Sequence, residues 1–179
     1  MILTGQENII LTGFMGTGKS AVGQILAKKT GLAFVDSDDL IVKAAGKSIN
    51  SIFEEDGEGV FRQIEAKVIS EVCKNKGQVI STGGGAVTIE DNLRIMKDSG
   101  LLVALTATPD VILSRIEKEG HRPLLKKDNS RQKIEELVLK REEFYKKADF
   151  TIDTTDISPD AVAEKIVKLK LPDRLKWKR

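Results

Sequence analysis

Gly13-Phe14-Met15-Gly16-Thr17-Gly18-Lys19-Ser20 has the spacing GxxxxGK[ST]. Glycines so spaced let backbone N–H groups turn inward around phosphate oxygens. A helix opening at Lys19 would add the positive end of its dipole. In that setting the Lys19 ammonium reaches the β- and γ-phosphates and the Ser20 hydroxyl ligates Mg2+. A plain glycine-rich turn explains neither Lys19 nor Ser20. Gly16, Thr17, Gly18, Lys19, Ser20 and Ala21 are therefore the candidate nucleotide-binding residues.

Asp36-Ser37-Asp38-Asp39 is the acidic counterpart. Phosphorylating a hydroxyl needs one carboxylate near Mg2+ and another near that hydroxyl. Strand alternation predicts Asp36 and Asp38 on one side; the plainer alternative is an acidic helix N-cap. Thr82-Gly83-Gly84-Gly85 lets a ligand approach backbone closely, or is simply a loose turn. Arg62 and Glu65, at i and i+3, read either as a surface ion pair or as an arginine held to grip a substrate anion. Arg122 lies in the basic stretch Lys118–Arg131, which reads as a mobile loop, and could cover a transferring phosphoryl group. Arg115 and Arg141 could equally be solvated. His121 reads as an exposed loop residue and Cys73 as core.

These residues need elements to hold them. Short apolar, β-branched runs at Asn8–Thr12, Leu32–Val35, Gln78–Thr82, Leu101–Thr106 and Phe150–Asp153 predict strands buried on both faces of a parallel sheet. Helical patterns cover Lys19–Thr30, Gly59–Lys76, Thr108 to about Glu119, Glu135–Lys147 and a last helix opening at Ser158-Pro159. Alternation of strands with helices predicts an α/β fold with right-handed crossovers. Asp38–Glu58 is polar with short helical pieces, and the tail after Pro172 reads as frayed.

A chain of 179 residues predicts one domain. A single cysteine forbids an intrachain disulfide, and a single histidine forbids two-histidine catalysis. Lys and Arg number 29 against 27 Asp and Glu, and aromatics are 4%, which argues against a nucleic-acid partner. No run is long and apolar enough to span a membrane, and no secretory signal or transit stretch is evident. A cytoplasmic, bacterial and monomeric protein is the expectation.

The motifs GFMGTGKS, DSD, FRQIE, STGGG, RPLL and KREEFYKKAD, in this order, resemble shikimate kinase from Asn8 to about Leu171. The first motif is shared by many NTPases; the combination is specific. The resemblance implies a three-layer P-loop kinase fold with a five-stranded parallel sheet, a substrate-binding subdomain near 38–60 and a lid near 116–131. It implies ATP-dependent, Mg2+-dependent phosphorylation of the 3-hydroxyl of shikimate, on the route to chorismate and aromatic amino acids. Lys19 and Ser20 would hold phosphates and Mg2+, with Asp36 supporting the metal through water and Ser81 nearby. Asp38 would receive the shikimate hydroxyls and orient or deprotonate the 3-hydroxyl. Arg62, oriented by Glu65, and Arg141 would bind the carboxylate; Gly83, Gly84 and Gly85 would offer backbone N–H groups. Arg122 would close over the phosphates and Arg115 would stack near adenine. Some family members carry an arginine after the last strand; Thr154–Ser158 here has none. A gluconate-kinase-like or nucleotide-kinase-like enzyme, or a regulatory P-loop NTPase, are the rival readings.

Overall fold

The computed structural model describes residues 7–119 and 130–170. Five strands form one parallel sheet: β1 (Asn8–Gly13), β2 (Ala33–Asp36), β3 (Gln78–Ser81), β4 (Gly100–Thr106) and β5 (Phe150–Asp153), in the order β2-β3-β1-β4-β5. The helices are α1 (Lys19–Thr30), α2 (Ser37–Ala45), α3 (Ile49–Ser51), α4 (Gly57–Val72), α5 (Glu90–Ser99), α6 (Pro109–Glu119), α7 (Ser130–Tyr145) and α8 (Pro159–Val167). A π-helical turn, Ile52–Asp56, links α3 to α4. Arg122, His121, most of the 116–131 lid region and the 172–179 tail lie outside the described residues.

Alternation along β1 divides the core. Ile10 packs with Ile80, Leu102, Ile69 and Ile112 on one face; Ile9 and Leu11 pack with Val79, Val103, Leu26 and Ile166 on the other. That is the three-layer arrangement expected of a parallel sheet, whose two faces both need covering. Every β1 residue is buried. The edge strands differ from expectation: β2 and β5 each bury little of their length. At the rim a strand has a partner on one side only, so apolar composition there overstates burial.

The sequence reading has no helix between β3 and β4, yet α5 is there. Its buried apolar side chains are only Leu93 and Met96, beside the polar Asn92; the helix is amphipathic, but it is so polar overall that few apolar residues mark it in the sequence. Topology demands it, because consecutive parallel strands need a crossover. Helix ends move as well: α4 runs Gly57–Val72 rather than Gly59–Lys76, and α7 runs Ser130–Tyr145 rather than Glu135–Lys147.

Parallel pairing sends the carboxyl ends of all five strands to one edge. The phosphate loop, Asp36, the Thr82–Gly85 turn and Thr154 therefore converge there, where open α/β sheets bind ligands. A third small cluster, Ile41, Ile52, Phe61 and Val68, secures α2 and the π turn against α4 beside that edge. Among the described residues no helix is long and apolar enough to cross a membrane.

At the opposite end Asn8, fully buried, donates from Nδ2 to Asn75 O at 2.7 Å and accepts Gln78 N–H at Oδ1, 3.1 Å. It stitches the start of β1 to the start of β3. Asn8→Ala strands both backbone partners and should cost about 2 kcal/mol in urea unfolding. Ligand affinity should be unchanged.

Candidate active site

Gly13 ends β1 at φ +140°, and Gly16 and Gly18 follow at +75° and +89°, values that only glycine adopts without strain. A Cβ at Gly13 would collide with Leu105 O. Thr17 Oγ1 donates to Phe14 O at 2.7 Å and Lys19 Nζ donates to the same carbonyl at 3.0 Å, so Lys19 folds back over its own loop. Gly18 caps α1 with no side-chain acceptor, and the first turn carries no acid. Helix N–H groups, the dipole and Lys19 make an electropositive cup.

Beside the cup, Ser20 Oγ donates to Asp36 Oδ2 at 2.8 Å and lies 3.4 Å from Ser81 Oγ. Asp36 Oδ1 accepts Asp38 N–H at 3.0 Å, which makes Asp36 the N-cap of α2. Asp36 therefore caps α2 through one oxygen and meets the Ser20 hydroxyl through the other. Strand alternation does not position Asp38. Helix α2 begins at Ser37, so Asp36 turns to Ser20 while Asp38 leaves from the first helical turn toward a separate pocket.

That pocket, about 380 Å3, lies between α2, the π turn, α4, the glycine turn and α7. Asp38, Arg62, Glu65, Gly83, Gly84, Gly85 and Arg141 all line it. Arg62 Nη1 donates to Glu65 Oε2 at 2.7 Å, while its Nε and Nη2 donate to Glu58 Oε1 at 3.2 and 3.0 Å. The Glu65 side chain is 1% exposed. Burial pushes its carboxyl above the usual range; Arg62 opposes that, and nearby Asp38 adds to it. Arg141 lies over the Phe14 ring, 5.5 Å from its centroid.

The glycines are needed because charged groups pack on their backbone. A Cβ at Gly85 would sit 2.5 Å from Arg62 Nη1, and one at Gly83 would sit 2.9 Å from Glu65 Oε1 and 3.1 Å from Asp38 Oδ1. The turn is pinned from both sides. Gly83 N–H donates to Ser37 Oγ at 3.2 Å, and Tyr145 Oη donates to Gly84 O at 2.8 Å. The three N–H groups are thus not equivalent, since that of Gly83 already has an acceptor.

Arg115 is held away from the acceptor pocket, donating to Gly16 O and Thr154. Ala21 is exposed on the first turn of α1. Sequence reasoning gave no site role to Ser37, Tyr145 or the pocket-wall residues Met15, Phe53 and Phe61. Tyr145 had a signal: it stands one turn after Arg141 in an otherwise charged helix. The helical spacing of Phe61 reads as core, which it is, and gives no hint that it also lines the pocket.

A glycine-rich phosphate loop between a strand and a helix, with a separate pocket lined by Arg62, Arg141 and Asp38 at the same edge of a parallel sheet, is the arrangement of a P-loop kinase. The model of the shikimate kinase family matches residues 15–170. The shikimate kinase of Thermodesulfovibrio yellowstonii is 47% identical over 90% of this chain and 94% of its own length. That of Geobacter sulfurreducens is 46% identical, covering 89% and 88%. Among solved structures, the shikimate kinase from Acinetobacter baumannii in complex with shikimate superimposes with a TM-score of 0.85 at 38% identity, covering 90% of this chain and 91% of that one. The Aquifex aeolicus shikimate kinase gives 0.75 at 35%, covering 89% and 93%. The chain belongs to the shikimate kinase family.

Tyr145 is buried, and its hydroxyl pKa is pushed up to about 12, chiefly by burial, so it stays a donor to Gly84 O at all working pH values. Tyr145→Phe removes that donor with little change in shape. The KM for the acceptor should rise roughly fivefold, with KM for ATP little changed. Steady-state kinetics with each substrate varied in turn checks this.

Proposed function

We propose that this chain transfers the γ-phosphoryl group of ATP to the 3-hydroxyl of shikimate, giving shikimate 3-phosphate and ADP. The observation that carries this reading is the pocket pairing Arg62 and Arg141 with Asp38, next to the phosphate cup. Shikimate is a small anionic polyol, and two guanidinium groups with one carboxylate match its charge and hydroxyls. Family membership supports the same assignment.

Arg62 is poised to exchange partners. Glu65 holds Nη1 from a buried position, whereas Glu58, on Nε and Nη2, is 66% exposed. A substrate carboxylate takes the place of Glu58 on that edge, and Glu58 returns to water. Arg141 closes the pocket from α7. The Gly84 and Gly85 backbone borders the acceptor, with Gly84 held by Tyr145.

Asp38 orients the 3-hydroxyl and accepts its proton. Glu65 has a different task here, since its carboxylate holds Arg62 in place. The 3-oxygen forms its bond to the γ-phosphorus as the bond to the β-bridging oxygen breaks, and the electron pair leaves on ADP. Catalysis comes mostly from alignment and charge. Lys19 and the α1 N-terminus meet the phosphates; Arg122 adds its charge from the segment outside the described residues. Arg115, bound to Gly16, borders the nucleotide side.

The oxygen trio Ser20, Asp36 and Ser81 suits Mg2+, a hard cation held by few protein oxygens together with substrate phosphates. When bound, Mg2+ neutralises charge building on the transferring phosphates.

ADP release from Mg·ATP, measured with shikimate, quinate, gluconate and AMP as separate acceptors, tests the substrate. Stimulation by shikimate alone is expected; stimulation by another acceptor alone would overturn the reading. Asp38→Asn should lower kcat by about 100-fold or more while leaving ATP affinity near normal. Arg141→Ala should instead raise the shikimate KM by roughly tenfold or more, the cost of a lost charged hydrogen bond.

A further inference from the structure

Arg115 and Thr154 meet behind the phosphate loop. Arg115 Nη1 donates to Gly16 O and to Thr154 Oγ1, both at 3.1 Å, and its Nη2 donates to Thr154 O at 2.7 Å. The Thr154 side chain, in a residue 2% exposed, lies 3.1 Å from Thr17 O and 3.0 Å from Thr106 O. A hydroxyl has one proton to give. Thr106 O already receives Thr154 N–H at 2.8 Å, whereas Thr17 O receives no backbone N–H among the described residues. The proton is therefore best placed on Thr17 O.

We propose that Thr154 is a positioning residue for the nucleotide: its hydroxyl, held by Arg115, sets the Thr17–Gly18 peptide so that Gly18 N–H faces the phosphates. This rests on the reading of residues 13–20 as the nucleotide-phosphate site. The peptide unit is trans and planar, so its C=O and N–H point in opposite directions. Tying Thr17 O outward to Thr154 turns Gly18 N–H inward to the loop's concave side. The tie must come from outside the loop. Gly18 has φ +89° and no side chain, and beyond its own stretch of chain nothing packs where its Cβ would be. A glycine backbone is the least restrained of all, so the setting of this peptide depends on the hydrogen bonds it makes. Thr154 is anchored on the end of β5, hydrogen-bonded to β4 at Thr106, so the rigid sheet transmits its position to the loop.

The test compares the intact chain with Thr154→Val, which keeps the shape and removes the hydroxyl. Titration calorimetry reads Mg·ADP and shikimate binding separately, and a thermal melt checks folding. Mg·ADP affinity should fall roughly tenfold in the valine variant, with shikimate affinity unchanged. Thr154→Ser, which retains the hydroxyl, should return Mg·ADP affinity to that of the unaltered chain. If the valine variant fails to fold, Thr154→Ala carries the same expectation, since it too lacks the hydroxyl and adds no contact. A folded variant without the hydroxyl that binds Mg·ADP as tightly as the unaltered chain would overturn the proposal. Equal losses for Mg·ADP and shikimate would also overturn it, because they would mark general loosening. Failure of the unaltered chain to bind Mg·ADP would remove the phosphate-site reading itself, and the proposal with it.

Discussion

Backbone meets backbone at Gly13, and the two halves of the site are held in register by that contact. A side chain there would strike Leu105 O on β4 and crowd Thr17 Oγ1; a side chain at Gly84 would come within 2.8 Å of Gly13 O. Phosphate loop, acceptor loop and β4 thus share one point with no side chain between them. The crowding exists because β1 lies between β3 and β4, paired in parallel to both. Phosphoryl transfer depends on alignment of donor and acceptor within small tolerances, and misplacement of about 1 Å can cost 100-fold in rate. A direct backbone contact between the two loops is a short and stiff way to hold that alignment.

Around this point charge is distributed unevenly. The phosphate side carries positive charge with no acid in the first helical turn, while the neighbouring carboxylate of Asp36 is divided between the α2 cap and Ser20. The acceptor side buries Glu65 against Arg62, with Asp38 close by. A buried charge without a partner is costly, so Arg62 and Glu65 need each other before any ligand arrives. The result is an arginine fixed at one end by the buried Glu65 and held at the other by the exposed Glu58. Fixing the guanidinium beforehand lowers the ordering cost of binding an anion.

Helices behind and beside the loops supply the remaining stiffness. Ser37 and Tyr145 pin the glycine turn from opposite sides, and Arg115 with Thr154 ties the back of the phosphate loop to the end of the sheet. Tyr145 stands one turn from Arg141 on α7, so the helix that offers a guanidinium to the pocket also registers itself against the glycine turn. Each pin is a single side chain reaching a backbone carbonyl or N–H group far away in sequence.

Local physics made much of this legible from the residues alone. The glycine spacing of the phosphate loop, the opening and closing of α1, and strands correct to within about one residue all follow from φ demands, caps and short apolar runs. Asp36, Asp38, Arg62 and the glycine turn could be raised as candidates from their types and spacings, whereas Arg141, and the choice among the readings of the others, rested on the resemblance of the whole motif set. The strand order, the exposure of β2 and β5, the presence of α5 and the parting of Asp36 from Asp38 could not be read in that way. Neither could the partners of Tyr145 or Thr154. Those features depend on which residues meet across separations such as 17 with 154 or 84 with 145, and such meetings are decided by sheet register and helix packing. The sequence by itself determined which groups were available; only the tertiary structure decided which atoms face one another, because contact is set by the fold as a whole and not by any local pattern.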